Sequence, residues 1–263
     1  MRKRSIKVFL VRRRVVAVLA ALALAAGIFY AVSYPGSVSA AAAKRQLPIY
    51  SVERTDGKFC SISFDAAWGN EDTQTLIDIL ARYGVKTTFF VVGDWAEKYP
   101  ESVKALHDAG HEVMSHSNHH DHYNSLSTQQ IIDDVTASNE RISAVTGVTP
   151  TLIRCPYGEY DDHVIAAIRS MGMEPIQWDV DSLDWKDYDA DTICRRVTSK
   201  VQPGSIVLFH NAALHTPEAL PAILDCLIND GYTVVPISQL ILDPPYTIDH
   251  TGRQFPAETV STT

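Results

Sequence analysis

Acidic residues are missing from the first 40 positions, where all seven charges are basic: Arg2, Lys3, Arg4, Lys7, Arg12, Arg13 and Arg14. That leaves 16 of the 23 Lys and Arg for the rest of the 263-residue chain, against all 31 Asp and Glu. A body so acidic excludes the clustered cationic surface with which proteins grip nucleic-acid phosphates, so no nucleic-acid partner is expected. Cysteine is scarce too. There are four, with no CxxC pair and no zinc-finger spacing, which excludes a disulfide-stapled miniprotein and a structural zinc module. The glycine signatures of nucleotide binding are also absent: no GxGxxG follows an apolar run and no GxxxxGK[ST] occurs.

What the sequence does hold begins with an uncharged apolar run, Val15 to Val32, directly after the basic cluster. As a helix it spans about 27 Å at ~1.5 Å per residue, between a short membrane span and a long signal-peptide core. Pro35, Gly36 and the small residues Val38-Ser39-Ala40 read as a cleavage region. Signal peptide or retained anchor, either form leaves the basic end in the cytoplasm and exports the body. The expected organisation is residues 1–40 as basic end plus leader, 41–56 as a polar tether, 57–242 as the folded domain and 243–263 as a polar tail. Export permits two disulfides in three pairings, but Cys60 and Cys155 fall on strand-like segments and Cys194 and Cys226 on helix-like ones. Buried free thiols are therefore expected.

From Lys58 onward, short apolar runs alternate with amphipathic stretches. The strand-like runs are Phe59–Phe64, Thr87–Val92, Glu112–Ser115, Thr151–Ile153, Glu174–Trp178, Ser205–Phe209 and Thr233–Val235. Between the first two, Leu76, Ile77, Leu80 and Tyr83 recur at helical spacing, with Gly84 as the stop. Ser127 and Gln130 have capping-box spacing, and Thr216-Pro217 opens another helix that Gly231 closes. Seven strand–helix units imply parallel strands covered by helices, and without phosphate-binding glycines a (β/α) barrel is favoured over a doubly wound sheet. In a barrel the chemistry sits at the C-terminal ends of the strands.

Five clusters fall at those ends. Asp65 follows directly on the first strand, in Ser63-Phe64-Asp65-Ala66-Ala67-Trp68-Gly69. Four histidines occur within His116–His122, and His116 and His120 are spaced so that both imidazoles can meet one divalent metal. Arg154 ends the strand before Cys155-Pro156-Tyr157-Gly158, and its fixed charge inside a barrel mouth needs a carboxylate partner. Asp181-Ser182-Leu183-Asp184-Trp185 holds two acids and an indole. Leu208-Phe209-His210 ends a strand on a histidine.

Together, and in this order, the five clusters resemble the motifs of the polysaccharide deacetylases, the NodB-homology domain or carbohydrate esterase family 4, over residues 57 to 242. The wording Phe64-Asp65-Ala66-Ala67-Trp68-Gly69-Asn70 further resembles a sporulation-associated, PdaB-like subgroup. The resemblance implies an irregular barrel of about seven parallel strands. It implies that His116 and His120 bind a divalent metal, commonly zinc with cobalt or another ion as a substitute, and that Ser117 holds the loop between them. Asp65 then matches the catalytic base, Arg154 the residue orienting it, and the Tyr157 N–H an oxyanion donor. Asp181 matches the acid tuning His210, itself the general acid, while Trp185 and Leu208 line the acetyl pocket.

One departure stands out. The family's first motif has two consecutive acids, the second a metal ligand, and here that position is Ala66. Three outcomes follow: a two-histidine site completed by water, a replacement ligand such as Glu71, Asp72 or Asp121, or no catalytic metal. The expected function is an exported hydrolase that removes N-acetyl groups from amino sugars of a cell-wall glycan, peptidoglycan or chitin-like. The alternative is a non-catalytic glycan-binding or signalling domain with Trp68, Trp95, Tyr157 and Trp185 stacking on sugars. An unrelated metal-dependent hydrolase on a similar barrel is a third reading.

Overall fold

The computed structural model describes residues 45–257, together with helical residues 16, 18–25 and 27–29. It divides into two units, Met1–Arg45 and Gln46–Thr263. In the first, the described residues are helical and exposed, Leu19, Leu22 and Phe29 among them. No helix among the described residues is long and apolar enough to cross a membrane. The basic cluster, both ends of the apolar run and the cleavage region lie outside the described residues.

In the second unit the apolar runs become strands β1 (Ser51–Val52), β2 (Phe59–Ala66), β3 (Thr88–Val91), β4 (Glu112–Ser115), β5 (Leu152–Ile153), β6 (Glu174–Pro175), β7 (Val180–Asp181), β8 (Ile206–His210) and β9 (Thr233–Val234). A hairpin, β10 (Tyr246–Ile248) and β11 (Arg253–Pro256), closes the chain. The main sheet is parallel and curls into a half-barrel in the order β6-β5-β4-β3-β2-β8-β7, with β9 pairing β2. All seven predicted runs contain a strand of this sheet. β7 is an addition: its one apolar residue, Val180, stands between Asp179 and Asp181, so no apolar run marks it.

Central strand β2 shows why the sheet forms. Cys60, Ile62, Phe64 and Ala66 lie on one face and join the large apolar cluster with Leu76 and Leu80 of α1 (Thr73–Arg82) and Leu220, Ile223 and Leu224 of α7 (Thr216–Asn229). Phe64 stacks between Phe89 and Phe209, ring centroids 4.8 and 5.6 Å away. By the two-residue period of a strand, Ser61, Ser63 and Asp65 face the concave interior, so β2 is buried on both sides. The other helices are α2 (Gly93–Lys98), α3 (Pro100–Asp108), α4 (Thr128–Thr146), α5 (Asp162–Ser170), α6 (Ala190–Thr198) and α8 (Ile237–Leu240). α4 starts on the expected Ser127–Gln130 capping box and ends at Gly147 in the left-handed region.

The outer boundaries of the domain differ from the expectation. Residues 46–56 are no tether. Ile49 donates to the Pro175 carbonyl and accepts from Gln177 N–H, while Val52 donates to the Gly204 carbonyl, so this segment bonds both to β6 and to the turn before β8. The approach there is so close that a Cβ on Gly204 would lie 1.7 Å from the Val52 carbonyl oxygen, which only glycine avoids. Nor are residues 243–257 a free tail: β11 pairs with β1, and Gln254 is fully buried. The backbone bonds of residues 46–56 go to distant chain, whereas 243–257 form a local hairpin that is held to the body through the pairing of β11 with β1.

Candidate active site

The loops at the C-terminal ends of the strands surround a cavity of about 460 Å3. Asp65, His116, His120, Tyr157, Asp181, Trp185, Leu208 and His210 all line it. Six non-glycine residues with positive φ sit in these loops: Ser117 (71°), His120 (60°), Tyr157 (58°), Leu183 (53°), Asp187 (54°) and Ala212 (56°). Such conformations persist only where the surroundings impose them, and two of these residues, His120 and Tyr157, line the cavity.

Asp65 ends β2 on its interior face, 5 % exposed. Arg154, fully buried at the end of β5, donates from Nη1 to Asp65 Oδ1 at 2.7 Å. Its Nη2 donates to Ser63 Oγ (2.9 Å) and the Gln177 carbonyl (3.2 Å), and its guanidinium lies 4.3 Å from the Phe90 ring centroid. The arginine is thus fixed by three acceptors and an aromatic face. Burial pushes the Asp65 carboxyl upward, but the Arg154 charge, then those of His116 and His210, outweigh it and hold the group below its usual range.

His116 follows β4. Its Nδ1 bonds the Arg154 carbonyl oxygen at 2.7 Å, and its Nε2 lies 3.5 Å from Asp65 Oδ2. His120 is placed by a bond from its own N–H to Ser117 Oγ (2.9 Å), with the two imidazole centroids 5.0 Å apart. Burial, with the neighbouring His116, takes the His120 pKa down to about 4, so this ring is neutral at pH 7. His119 and His122 turn elsewhere, to Asp94 and Glu159.

Opposite Asp65, His210 closes β8. Its partner is Asp184, not Asp181. Asp184 is fully buried; its Oδ1 meets His210 Nδ1 at 2.8 Å, and its Oδ2 accepts from the His210 N–H (2.8 Å) and from Thr216 Oγ1 (2.7 Å). Burial alone lowers the His210 pKa, but the bond and charge of Asp184, with lesser help from Asp65 and Asp181, raise it. Asp181 instead accepts the N–H of Leu183, two residues on, in an Asx turn. That habit of an Asp at the start of a turn was the available cue, because it left the second acid of the cluster free. Thr216 and Ser63 carried no cue in the sequence. Trp95 is corrected as well: it is buried, its Nε1 donates to the Trp68 and Gly69 carbonyls, and it offers no face to a ligand.

Both metal ligands expected from the sequence, His116 and His120, line the cavity, and the third ligand of the family pattern is missing. With Nδ1 of His116 tied to a carbonyl, Nε2 faces the cavity as in histidines that bind metal, and His120 stands beside it uncharged. Ala66, however, is buried in the apolar cluster with Phe64 and Val91. The proposed replacements do not reach the cavity: Glu71 accepts from Asn70 N–H and Asp72 from Ala212 N–H, and Asp121 is exposed outside the lining. Among the described residues no three His, Cys, Asp or Glu form a metal-holding group. Catalytic sites normally use three protein ligands, so this donor set does not fit one.

Residues 52–176 match the model of the polysaccharide deacetylase family. The chain is 30% identical over 194 residues to the uncharacterized protein YlxY of Bacillus subtilis (strain 168), covering 74% of this chain and 60% of that protein. It is 32% identical over 183 residues to the peptidoglycan-N-acetylmuramic acid deacetylase PdaC of the same organism, covering 70% of this chain and 38% of PdaC. Among solved structures, the Bacillus anthracis protein BA3943, described as a pseudoenzyme of carbohydrate esterase family 4, superposes with a TM-score of 0.71 at 34% identity, covering 73% of this chain and 68% of that one. A mutant of BA3943 described as having restored enzymatic activity gives 0.70 at 35%, covering 73% and 70%. The chain thus belongs to the polysaccharide deacetylase family, carbohydrate esterase family 4. It spans between about two fifths and three fifths of the curated relatives described here.

Proposed function

We propose that this domain is an exported hydrolase that takes the N-acetyl group from an amino sugar of a cell-wall glycan of the peptidoglycan type. The observation that carries the reading is a buried carboxylate and a half-buried imidazole lining one cavity, the first paired with Arg154 and the second with Asp184, with pKa values displaced in opposite directions. Asp65, held ionised, is the base that takes a proton from the attacking water as its oxygen bonds to the acetyl carbon. His210, whose protonated form Asp184 favours, gives a proton to the sugar nitrogen as the C–N bond breaks, so that a neutral amine and acetic acid leave, the acid then losing its proton to solvent. Without that proton the leaving group would be an amide anion. Arg154 orients Asp65, Asp184 orients His210, the Tyr157 N–H faces the oxyanion, and Trp185 and Leu208 shape the acetyl pocket. Export is supported by the seven basic residues and the apolar run after them.

Relatives of this family are generally divalent-metal dependent. At this site His116 and His120 are the two ligands on offer, and no step above is routed through an ion. Ala66 favours a second reading, a domain that binds glycan with weak or no turnover. Acetate released from N-acetylated peptidoglycan and chitooligosaccharides, with zinc or cobalt added, separates the two. The first reading predicts release that falls at least 100-fold in Asp65→Asn and His210→Ala. No release from folded protein with any polymer or metal overturns it, and glycan affinity indifferent to chelator and to Asp65→Asn then supports the second.

A further inference from the structure

The first three residues of the loop after β2, Ala67 to Gly69, are tied down by several hydrogen bonds. A single buried side chain, Asn211 (4 % exposed), reaches three of their backbone groups. Oδ1 accepts from Ala67 N–H (3.1 Å), and Nδ2 donates to the Gly69 carbonyl (2.7 Å) and to that of Trp68. The Asn211 N–H also donates to the Asp65 carbonyl (3.0 Å). From the other side, Trp95 Nε1 donates to the same two carbonyls, at 3.1 Å for Trp68 and 2.6 Å for Gly69. Neither Asn211 nor Trp95 lines the cavity.

What this clamp presents is an indole in water. Trp68 is 59 % exposed at the cavity edge, and its ring contact among the described residues is His120, edge-on at 5.6 Å. The neighbouring aromatics are partly engaged already: Tyr157 stacks on His122 at 4.1 Å, and Trp185 carries Lys186 Nζ 5.0 Å from its centroid. Trp68 thus stands at the cavity edge on a loop held by several hydrogen bonds, with much of its ring open to a ligand. The faces of pyranose rings expose C–H groups that pack on an indole, and a ring already fixed in place loses little entropy on binding.

We infer that Trp68 is a stacking subsite for a pyranose ring of the glycan, and that Asn211 is the positioning residue that holds it beside the acid–base pair. This rests on the glycan reading above.

The test uses the full-length protein, calorimetry and tetra-N-acetylchitotetraose. Trp68→Ala should weaken binding about tenfold and Trp68→Phe less than threefold. Asn211→Ala should weaken it comparably with the indole still present. Asn211→Asp, which keeps the acceptor for Ala67 and loses the donor, should fall between. In any preparation that turns over, the loss from Trp68→Ala should appear in KM rather than kcat. Because Trp68 is on the surface, its variants fold even if Asn211→Ala does not. Wild-type affinity in Trp68→Ala overturns the stacking subsite, and wild-type affinity in folded Asn211→Ala overturns the positioning role. If the wild type binds neither this oligosaccharide nor peptidoglycan fragments, the glycan reading falls, and this inference falls with it.

Discussion

Replacing Arg154 with leucine would remove the guanidinium that, among the described residues, is bonded to Asp65, while leaving Asp65 5 % exposed. Breaking a buried ion pair from one side costs roughly 3–5 kcal/mol, because the remaining charge keeps its desolvation penalty and loses its compensation. Ser63 Oγ and the Gln177 carbonyl would lose a donor too, which places the cost toward the upper end. For a domain of this size that is a fall in Tm of roughly 6–20 °C. The pH dependence gives the sharper test. In the wild type the Asp65 pKa is depressed, so the pair's stabilisation is present above the unfolded value near 3.9 and is lost as pH falls through the lower folded value. In the variant, burial meets less opposition and the folded pKa rises, so the penalty is full at neutral pH and fades on acidification. Chemical denaturation of both proteins between pH 3 and 7 should show the difference narrowing as pH falls, and Asp65→Asn should rescue part of the loss. A variant within about 1 kcal/mol of wild type at pH 7, or a difference independent of pH, would refute the reasoning.

Asp184→Asn preserves an acceptor for Thr216 and the His210 N–H but removes the charge that raises the His210 pKa, so the alkaline limb of any pH–rate profile should move to lower pH. The stability cost should be greatest below the ordinary histidine value near 6.5 and vanish once pH passes the raised folded value. An unmoved limb argues that Asp184 does not govern His210. Ala66→Asp should destabilise the metal-free protein, since it places a carboxylate in an apolar cluster, and calorimetry should show zinc binding at least tenfold tighter than in wild type. Equal affinities would mean that position 66 does not complete the site. Burial pushes the Cys60 and Cys155 thiols up to about 12, so iodoacetamide at pH 8 should label at most Cys194 and Cys226 in folded protein and all four after unfolding.

The sheet was legible because its strands are buried on both faces. Ser205–Phe209 is apolar after its first residue, Phe59–Phe64 alternates apolar residues with small serines, and Gly84 and Gly231 mark where helices stop. Candidate site residues were found as chemically unusual groups at strand ends: Asp65, His116, His120 and His210 come from three strand ends and meet at one cavity. What was hidden depends on partners far along the chain. The Asp184 role follows from which acid Leu183 N–H captures, that of Asn211 from three carbonyl and amide groups about 140 residues away, and those of residues 46–56 and 243–257 from mutual pairing. None of these leaves a period in the sequence.

Nuclear magnetic resonance titration of the Asp65 carboxyl and the His210 imidazole in one folded sample tests the central claim without requiring turnover, substrate or metal. The opposed acid and base predict Asp65 below the ordinary 3.9 and His210 above the ordinary 6.5. Asp65 at or above its ordinary value, or His210 at or below its own, contradicts the account.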